Sequence, residues 1–297
     1  MTDRDVVSSS GDVLPPVVGD GSSDRPTVAS PAVPAAELIA LDIDGTIVDH
    51  DETLSERVRL AIREVDDAGR HIVIATGRSM SATLPELQRL GLTRGWAVCS
   101  NGAITLRLDP RSPDGYEVAD TITFDAGPAV RLVRSHLPNA RFAAEEIGVG
   151  FLVNKAFPSG ELAGRVCVVP FERLVAEPVT RVIIRSLEHT PDEFLELVDA
   201  MGLHGVSYYV GWTAWLDLAP ENVTKATALE AVRRRLAVPA SATFAVGDGR
   251  NDVEMFTWAA YSVAMGQSGP ELLAVADEVT APVTEDGLAL VLEGLIL

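Results

Sequence analysis

Cysteine is scarce in this 297-residue chain: Cys99 and Cys167 lie far apart, with neither Cys-x-x-Cys nor Cys-His spacing. That argues against a disulfide framework and against a zinc site. Cys99 falls in an apolar run and reads as a small buried hydrophobe. Basic residues are also few. The 24 Lys and Arg face 43 Asp and Glu, a net charge of −19, which disfavours nucleic acid and anionic membrane surfaces as partners because both want a basic face. An anionic substrate would need a local cation. No apolar run approaches the roughly 18 residues of a membrane span. The opening Met1-Thr2-Asp3-Arg4-Asp5 lacks the basic and apolar regions of a signal peptide. These absences lead us to expect a cytoplasmic protein, monomer or homodimer, with no nucleic-acid or membrane partner.

What is present is a hydrophobic content of 47%, enough for one large domain or two modest ones. Residues 1 to 36 are rich in Ser, Pro, Gly, Asp and Val without aromatic residues and read as a disordered tail. Leu38-Ile39-Ala40-Leu41 then reads as a buried parallel strand, closed by Asp42-Ile43-Asp44-Gly45-Thr46. Thr53-Leu54-Ser55-Glu56 has capping-box form, and apolar residues follow at helical spacing until Gly69. His71 to Ala75 and Trp96 to Ser100 are further strands, ending at Thr76-Gly77-Arg78 and Asn101-Gly102. Strands alternating with helices imply parallel βαβ units. After Asn101-Gly102 the pattern changes to a hairpin, short strands and two helices near 127–137 and 191–202, and the βα rhythm resumes after residue 215. The expectation is an α/β protein: a Rossmann-like parallel core (37–104 and 216–297) with helices on both faces, interrupted by an inserted α+β cap domain (105–215).

Asp42 and Asp44 sit at a strand's carboxyl end, where open α/β sheets bind ligands. Two crowded carboxylates repel unless a cation or shared proton relieves them. Asp-x-Asp-Gly is also ordinary turn chemistry. A second acidic cluster, Gly247-Asp248-Gly249-Arg250-Asn251-Asp252, again follows an apolar strand, although it too could be a turn with a helix cap. In a parallel sheet Asp42, Asp44, Asp248 and Asp252 would converge on one edge and supply the hard oxygen ligands that suit Mg²⁺. Thr76 and Gly77 offer a hydroxyl and close backbone approach to phosphate, and Lys225 at a helix start offers a point charge. Each is weak alone, since a turn or a solvated lysine explains it equally.

In this order the motifs resemble the haloacid dehalogenase superfamily of phosphohydrolases. The large insertion, Ser100-Asn101-Gly102 and a Gly-Asp-x-x-Asn-Asp-x-x-Met run ending at Met255 resemble its Cof-type branch. The resemblance spans about residues 37 to 297 and implies hydrolysis of phosphates of sugars and other small metabolites. By it, Asp42 is the nucleophile and Asp44 the general acid and base. Asp42, the Asp44 backbone carbonyl and Asp248 hold Mg²⁺ with support from Asp252, while Ile43, Thr76, Gly77, Lys225 and Asn251 bind phosphate. Arg78, Asn101, Tyr208, Trp212 and Trp215 are candidates for substrate contact, though the aromatics could equally be cap core. The third motif departs from many relatives in having Ala226 after the lysine. The competing readings are a sugar phosphomutase of the phosphomannomutase type, an inactive regulatory relative, and a Ca²⁺-binding acidic module.

Overall fold

The computed structural model describes residues 36–49, 51–211 and 213–296. The expected tail, apart from Ala36, and the candidate Trp212 therefore lie outside the described residues. The chain begins with β1 (Leu38–Leu41), α1 (Glu56–Asp67), β2 (His71–Ala75), α2 (Met80–Leu90) and β3 (Gly95–Cys99). The hairpin β4 (Ile104–Leu108) and β5 (Tyr116–Thr121) follows. Then come α3 (Gly127–His136), β6 (Arg141–Glu146), β7 (Gly150–Val153), β8 (Arg165–Val168), α4 (Phe171–Leu174), β9 (Val182–Arg185), α5 (Pro191–Met201), β10 (Val206–Val210) and β11 (Trp215–Pro220). The chain returns through α6 (Lys225–Arg235), β12 (Thr243–Gly247), α7 (Val253–Trp258), β13 (Tyr261–Ala264), α8 (Pro270–Leu273), β14 (Glu278–Val279) and α9 (Gly287–Ile296).

Among the described residues the larger sheet has the order β14-β13-β12-β1-β2-β3-β4-β5 and the smaller β10-β11-β9-β6-β7-β8. β1 is the pivot of the larger sheet, paired in parallel with β2 on one side and β12 on the other. Its four residues are fully buried because the sheet is covered on both faces. Ile39 and Leu41 pack with Val58 and Ile62 of α1 and Leu288 and Leu292 of α9. Leu38 and Ala40 face Leu229 and Val232 of α6 and Phe256 of α7. The period of two in β1 thus feeds two separate apolar layers, which bears out the expected α/β architecture.

Local expectations are altered in two places. The cap of α1 is Ser55, whose side chain accepts from Arg57 N, and not Thr53; Thr53 N instead donates to Asp51 Oδ1 at 2.9 Å. The hairpin β4-β5 does not belong with the smaller sheet. β4 pairs antiparallel with β3 from Cys99↔Ile104 to Gly95↔Leu108, so the expected boundary at 104/105 falls inside a ladder of the larger sheet. At the other end β11 runs through residue 215 to Pro220 and pairs with β9 and β10 of the smaller sheet. No helix among the described residues is long and apolar enough to cross a membrane.

Candidate active site

Parallel pairing of β1 with β12 in the register Leu41↔Val246 brings the two acidic turns to one sheet edge. Asp42 N donates to Val246 O at 3.1 Å, extending the ladder one residue past the strand. Beyond it Gly45 has φ +75°, and a Cβ there would lie 2.1 Å from Asp248 Oδ2. The turn can carry only glycine if Asp248 is to stay where it is.

Asp42, Asp248 and Asp252 are all buried and offer carboxylate oxygens within 4.8 Å of one another. Lys225, fully buried at the first turn of α6, donates to Asp42 Oδ1 at 2.6 Å and to Asp252 Oδ1 at 2.7 Å. Thr224 caps that helix, its hydroxyl accepting from Thr227 N at 3.2 Å, so the lysine's backbone is fixed by a local motif. Asp252 Oδ2 accepts from the backbone N–H groups of Asp248 and Gly249 at 3.1 and 3.0 Å. Both oxygens of Asp252 are thus occupied, and its place is to orient its neighbours.

Burial pushes the Asp42 carboxyl well above the usual carboxylate range, aided by Asp252, Asp248 and Asp44 and opposed by Lys225. Burial, then Asp252, likewise lifts Asp248 to about 7. For Lys225 burial works the other way, but the two aspartates overcome it and hold the ammonium charged. Three crowded carboxylates with one ammonium invite a further cation, and two hard oxygen donors, Asp42 and Asp248, remain to meet it. The donor set fits Mg²⁺.

Asp44 does not join this cluster. Its carboxylate is half exposed and is gripped by Arg78, with Nη2 to Oδ1 at 2.6 Å and Nε at 3.0 Å from both oxygens. Arg78 also faces the buried Glu86 at 3.4 Å. Thr76 is fully buried and its hydroxyl accepts from Arg78 N at 3.0 Å. Asn251 Nδ2 donates to Asn101 Oδ1 at 2.9 Å, joining the fourth motif to the turn after β3. In that turn Ser100, Asn101 and Gly102 have φ of 50°, 52° and 106° in succession. A Cβ on Gly102 would lie 2.2 Å from Thr224 O, so the third motif is packed directly against it. Ile43 is fully buried, and its carbonyl accepts from the N–H groups of Thr46, Ile47 and Val48.

A cavity of about 560 Å³ opens over these residues, lined by Asp42, Asp44, Gly77, Arg78, Asn101, Asp248 and Asn251. Its far wall comes from the smaller sheet and its loops: Phe151, Glu161, Arg181, Ile183, Trp215 and Asp217. Trp215 is therefore at the cavity, whereas Tyr208 packs against the apolar layer of the smaller sheet and reaches Asp199 at 3.4 Å. Sequence reasoning missed Gln267, whose Nε2 donates to Gly45 O at 2.5 Å and lies 3.5 Å from Asp248 Oδ2. Its only signal was its place just beyond a strand end. Glu161, Arg181 and Asp217 were missed as well, because no local motif marks them.

An acidic edge with a buried lysine, at the switch of a parallel sheet and roofed by a second sheet, defines a phosphoryl-transfer site of the haloacid dehalogenase type. The chain belongs to this family: the model of the haloacid dehalogenase-like hydrolases matches residues 39–122 and 168–292. The chain is similar to the putative phosphatase YkrA of Bacillus subtilis, 27% identical over 268 residues, covering 86% of this chain and 95% of the relative. It is also similar to the 5-amino-6-(5-phospho-D-ribitylamino)uracil phosphatase YitU of the same bacterium, 25% identical over 264 residues, 85% and 94% covered. A solved subclass IIB sugar phosphatase of the superfamily has the same fold, with a TM-score of 0.72 at 24% identity, covering 87% of this chain and 98% of its own. The chain is accordingly a phosphatase.

Proposed function

We propose that the protein hydrolyses phosphate monoesters of small metabolites, sugar phosphates among them, in a Mg²⁺-dependent reaction through an aspartyl-phosphate on Asp42. The observation that carries this reading is the Lys225 ammonium bound to Asp42 Oδ1, within a cluster whose Asp42 and Asp248 line the cavity. Lys225 fixes one oxygen of Asp42 and leaves the other for phosphorus. Attack by that oxygen breaks the bond from phosphorus to the ester oxygen, and Asp44 supplies the proton the departing alkoxide needs. Asp44 then takes a proton from water, whose oxygen attacks phosphorus and releases Asp42.

Mg²⁺ held by Asp42, Asp248 and the Asp44 carbonyl would neutralise charge on the phosphoryl oxygens, with Asp252 orienting the ligands. Gly77 and Asn251 line the cavity, and with Thr76, Lys225 and the backbone of Ile43 they would bind those oxygens. Arg78 must loosen its hold on Asp44 before the proton transfer, and substrate phosphate is the natural competitor for the guanidinium. The insertion acts as a cap whose sheet forms the roof of the cavity. The test is phosphate release from an aryl phosphate such as p-nitrophenyl phosphate and from a panel of sugar phosphates. Turnover is expected to vanish in chelator and to fall about a thousandfold or more in Asp42→Asn. Turnover unchanged by either treatment overturns the reading.

A further inference from the structure

Beyond the aspartates the cavity continues under the smaller sheet into a chamber where the leaving group of a phosphate ester would lie. Among the described residues three cations line the cavity, Arg78, Arg181 and Arg250, and every one is already engaged. Arg78 is forked onto Asp44, and Arg250 Nη2 lies 2.5 Å from Glu271 Oε1. Arg181 holds Asp217 Oδ1 through Nε at 2.7 Å and Nη2 at 2.6 Å. That last pair is sealed, with side chains only 9% and 13% exposed, and Trp215 Nε1 donates to the other Asp217 oxygen at 3.2 Å.

Acceptors in the chamber are not spent in the same way. Glu161 accepts from Arg185 Nε at 3.1 Å through Oε1, while its Oε2 is buried without a hydrogen-bond partner. Asp192, exposed in the first turn of α5, makes no ion pair among the described residues. Phe151, Ile183 and Leu195 supply an apolar wall between these groups.

We propose that this chamber selects phosphate esters whose leaving group is uncharged or cationic and rich in O–H or N–H donors, and rejects esters that carry a second phosphate or a carboxylate. The inference rests on the phosphatase reading above. A second anion would lie beside the like charges of Glu161 and Asp192, with Arg181 sealed onto Asp217 and Arg78 committed to Asp44 and the transferred phosphate. A hydroxyl or amine of the leaving group instead meets an unpaired acceptor in the Asp192 carboxylate. Amino sugars, polyols and polyol-substituted heterocycles have this chemistry. Sugar bisphosphates do not, which also sets the chamber against a mutase that must accept a bisphosphate.

Four esters on one carbon skeleton test the idea: glucosamine 6-phosphate, glucose 6-phosphate, 6-phosphogluconate and glucose 1,6-bisphosphate. Each competes with p-nitrophenyl phosphate at saturating Mg²⁺ and about 0.15 M salt, where long-range repulsion is screened. Competition ranks the esters whether or not each is turned over. The first two should compete about tenfold or more better than the last two. Asp217→Asn frees Arg181 and should improve 6-phosphogluconate relative to glucose 6-phosphate. Where that buried substitution prevents folding, Asp192→Asn on the exposed helix turn should narrow the same gap.

Equal competition by all four, competition by none, preference for the anionic pair, or a ranking indifferent to Asp192→Asn and Asp217→Asn overturns the proposal. The two readings fail separately: no aryl phosphate turnover with Mg²⁺ sinks the phosphatase reading and this one with it. Aryl turnover with the wrong ranking sinks only the selectivity.

Discussion

Lys225 is fully buried between Asp42 and Asp252. Lys225→Met would leave two buried carboxylates uncompensated, at a cost of about 3–5 kcal/mol near pH 7.5. Asp42 and Asp248 already have raised pKa values, so their protonated forms favour the folded state. That contribution is present at low pH and is lost as pH rises. The urea midpoint of Lys225→Met should therefore approach that of the natural chain as pH falls from 8 to 5. Equal midpoints at pH 8 would contradict the account.

Gly45→Ala places a methyl group on Asp248 and forces an unfavourable φ. The Mg²⁺ concentration for half-maximal activity should rise about tenfold or more, with a smaller effect on melting. At this scale the aspartates, Thr76 and Lys225 were legible because each stands at a strand end or helix start that sequence periodicity locates. The partner of Arg78 and the reach of Gln267 were not, since both depend on where long side chains from separate loops meet.

The turn Ser100–Gly102 ties the elements together: its backbone bonds to Thr76 O and Arg78 O, and its Ser100 hydroxyl donates to Glu145 Oε2 at 2.7 Å. Glu145 belongs to β6, so this contact bridges the two sheets, and Thr180 adds a second donor at 3.1 Å. Burial raises the Glu145 carboxyl above its usual 4.5, although Arg181, Ser100 and Thr180 pull the other way. A raised acid stabilises the fold fully below its unfolded value and loses that contribution as pH rises through the folded value. Glu145→Gln keeps an acceptor for Ser100 and removes the titration. Relative to the natural chain it should gain in urea midpoint between pH 4.5 and pH 8, and a pH-independent difference would refute this.

Elements were largely legible from the sequence, as β1, α6 and β13 show. The boundary of the insertion was not, because the hairpin β4-β5 looks the same in sequence whether it extends the first sheet or starts a second. Only the antiparallel ladder from β3 to β4 decides it. The capping site of α1 slipped by two residues for a similar reason, Thr53 and Ser55 being chemically equivalent candidates.

The whole chain carries a net charge of −19 and handles anionic esters, so its long-range field opposes the substrate. With Mg²⁺ saturating, kcat/KM for a dianionic aryl phosphate should rise severalfold as salt goes from about 10 to about 150 mM and the Debye length shrinks from about 30 to about 8 Å. A flat or falling profile would contradict this. Close to the sheet edge the balance is finer. Arg78 cancels Asp44, and with its carboxylates ionised the cluster of Asp42, Asp248 and Asp252 is offset by the single ammonium of Lys225. Two negative charges remain, which is the charge of the phosphate dianion that must enter and the opposite of one divalent ion. On the proposed Mg²⁺-dependent reading, arrival would be put in sequence: a divalent ion held by Asp42 and Asp248 would turn a repelling mouth into a neutral one, and only then would the ester have reason to stay.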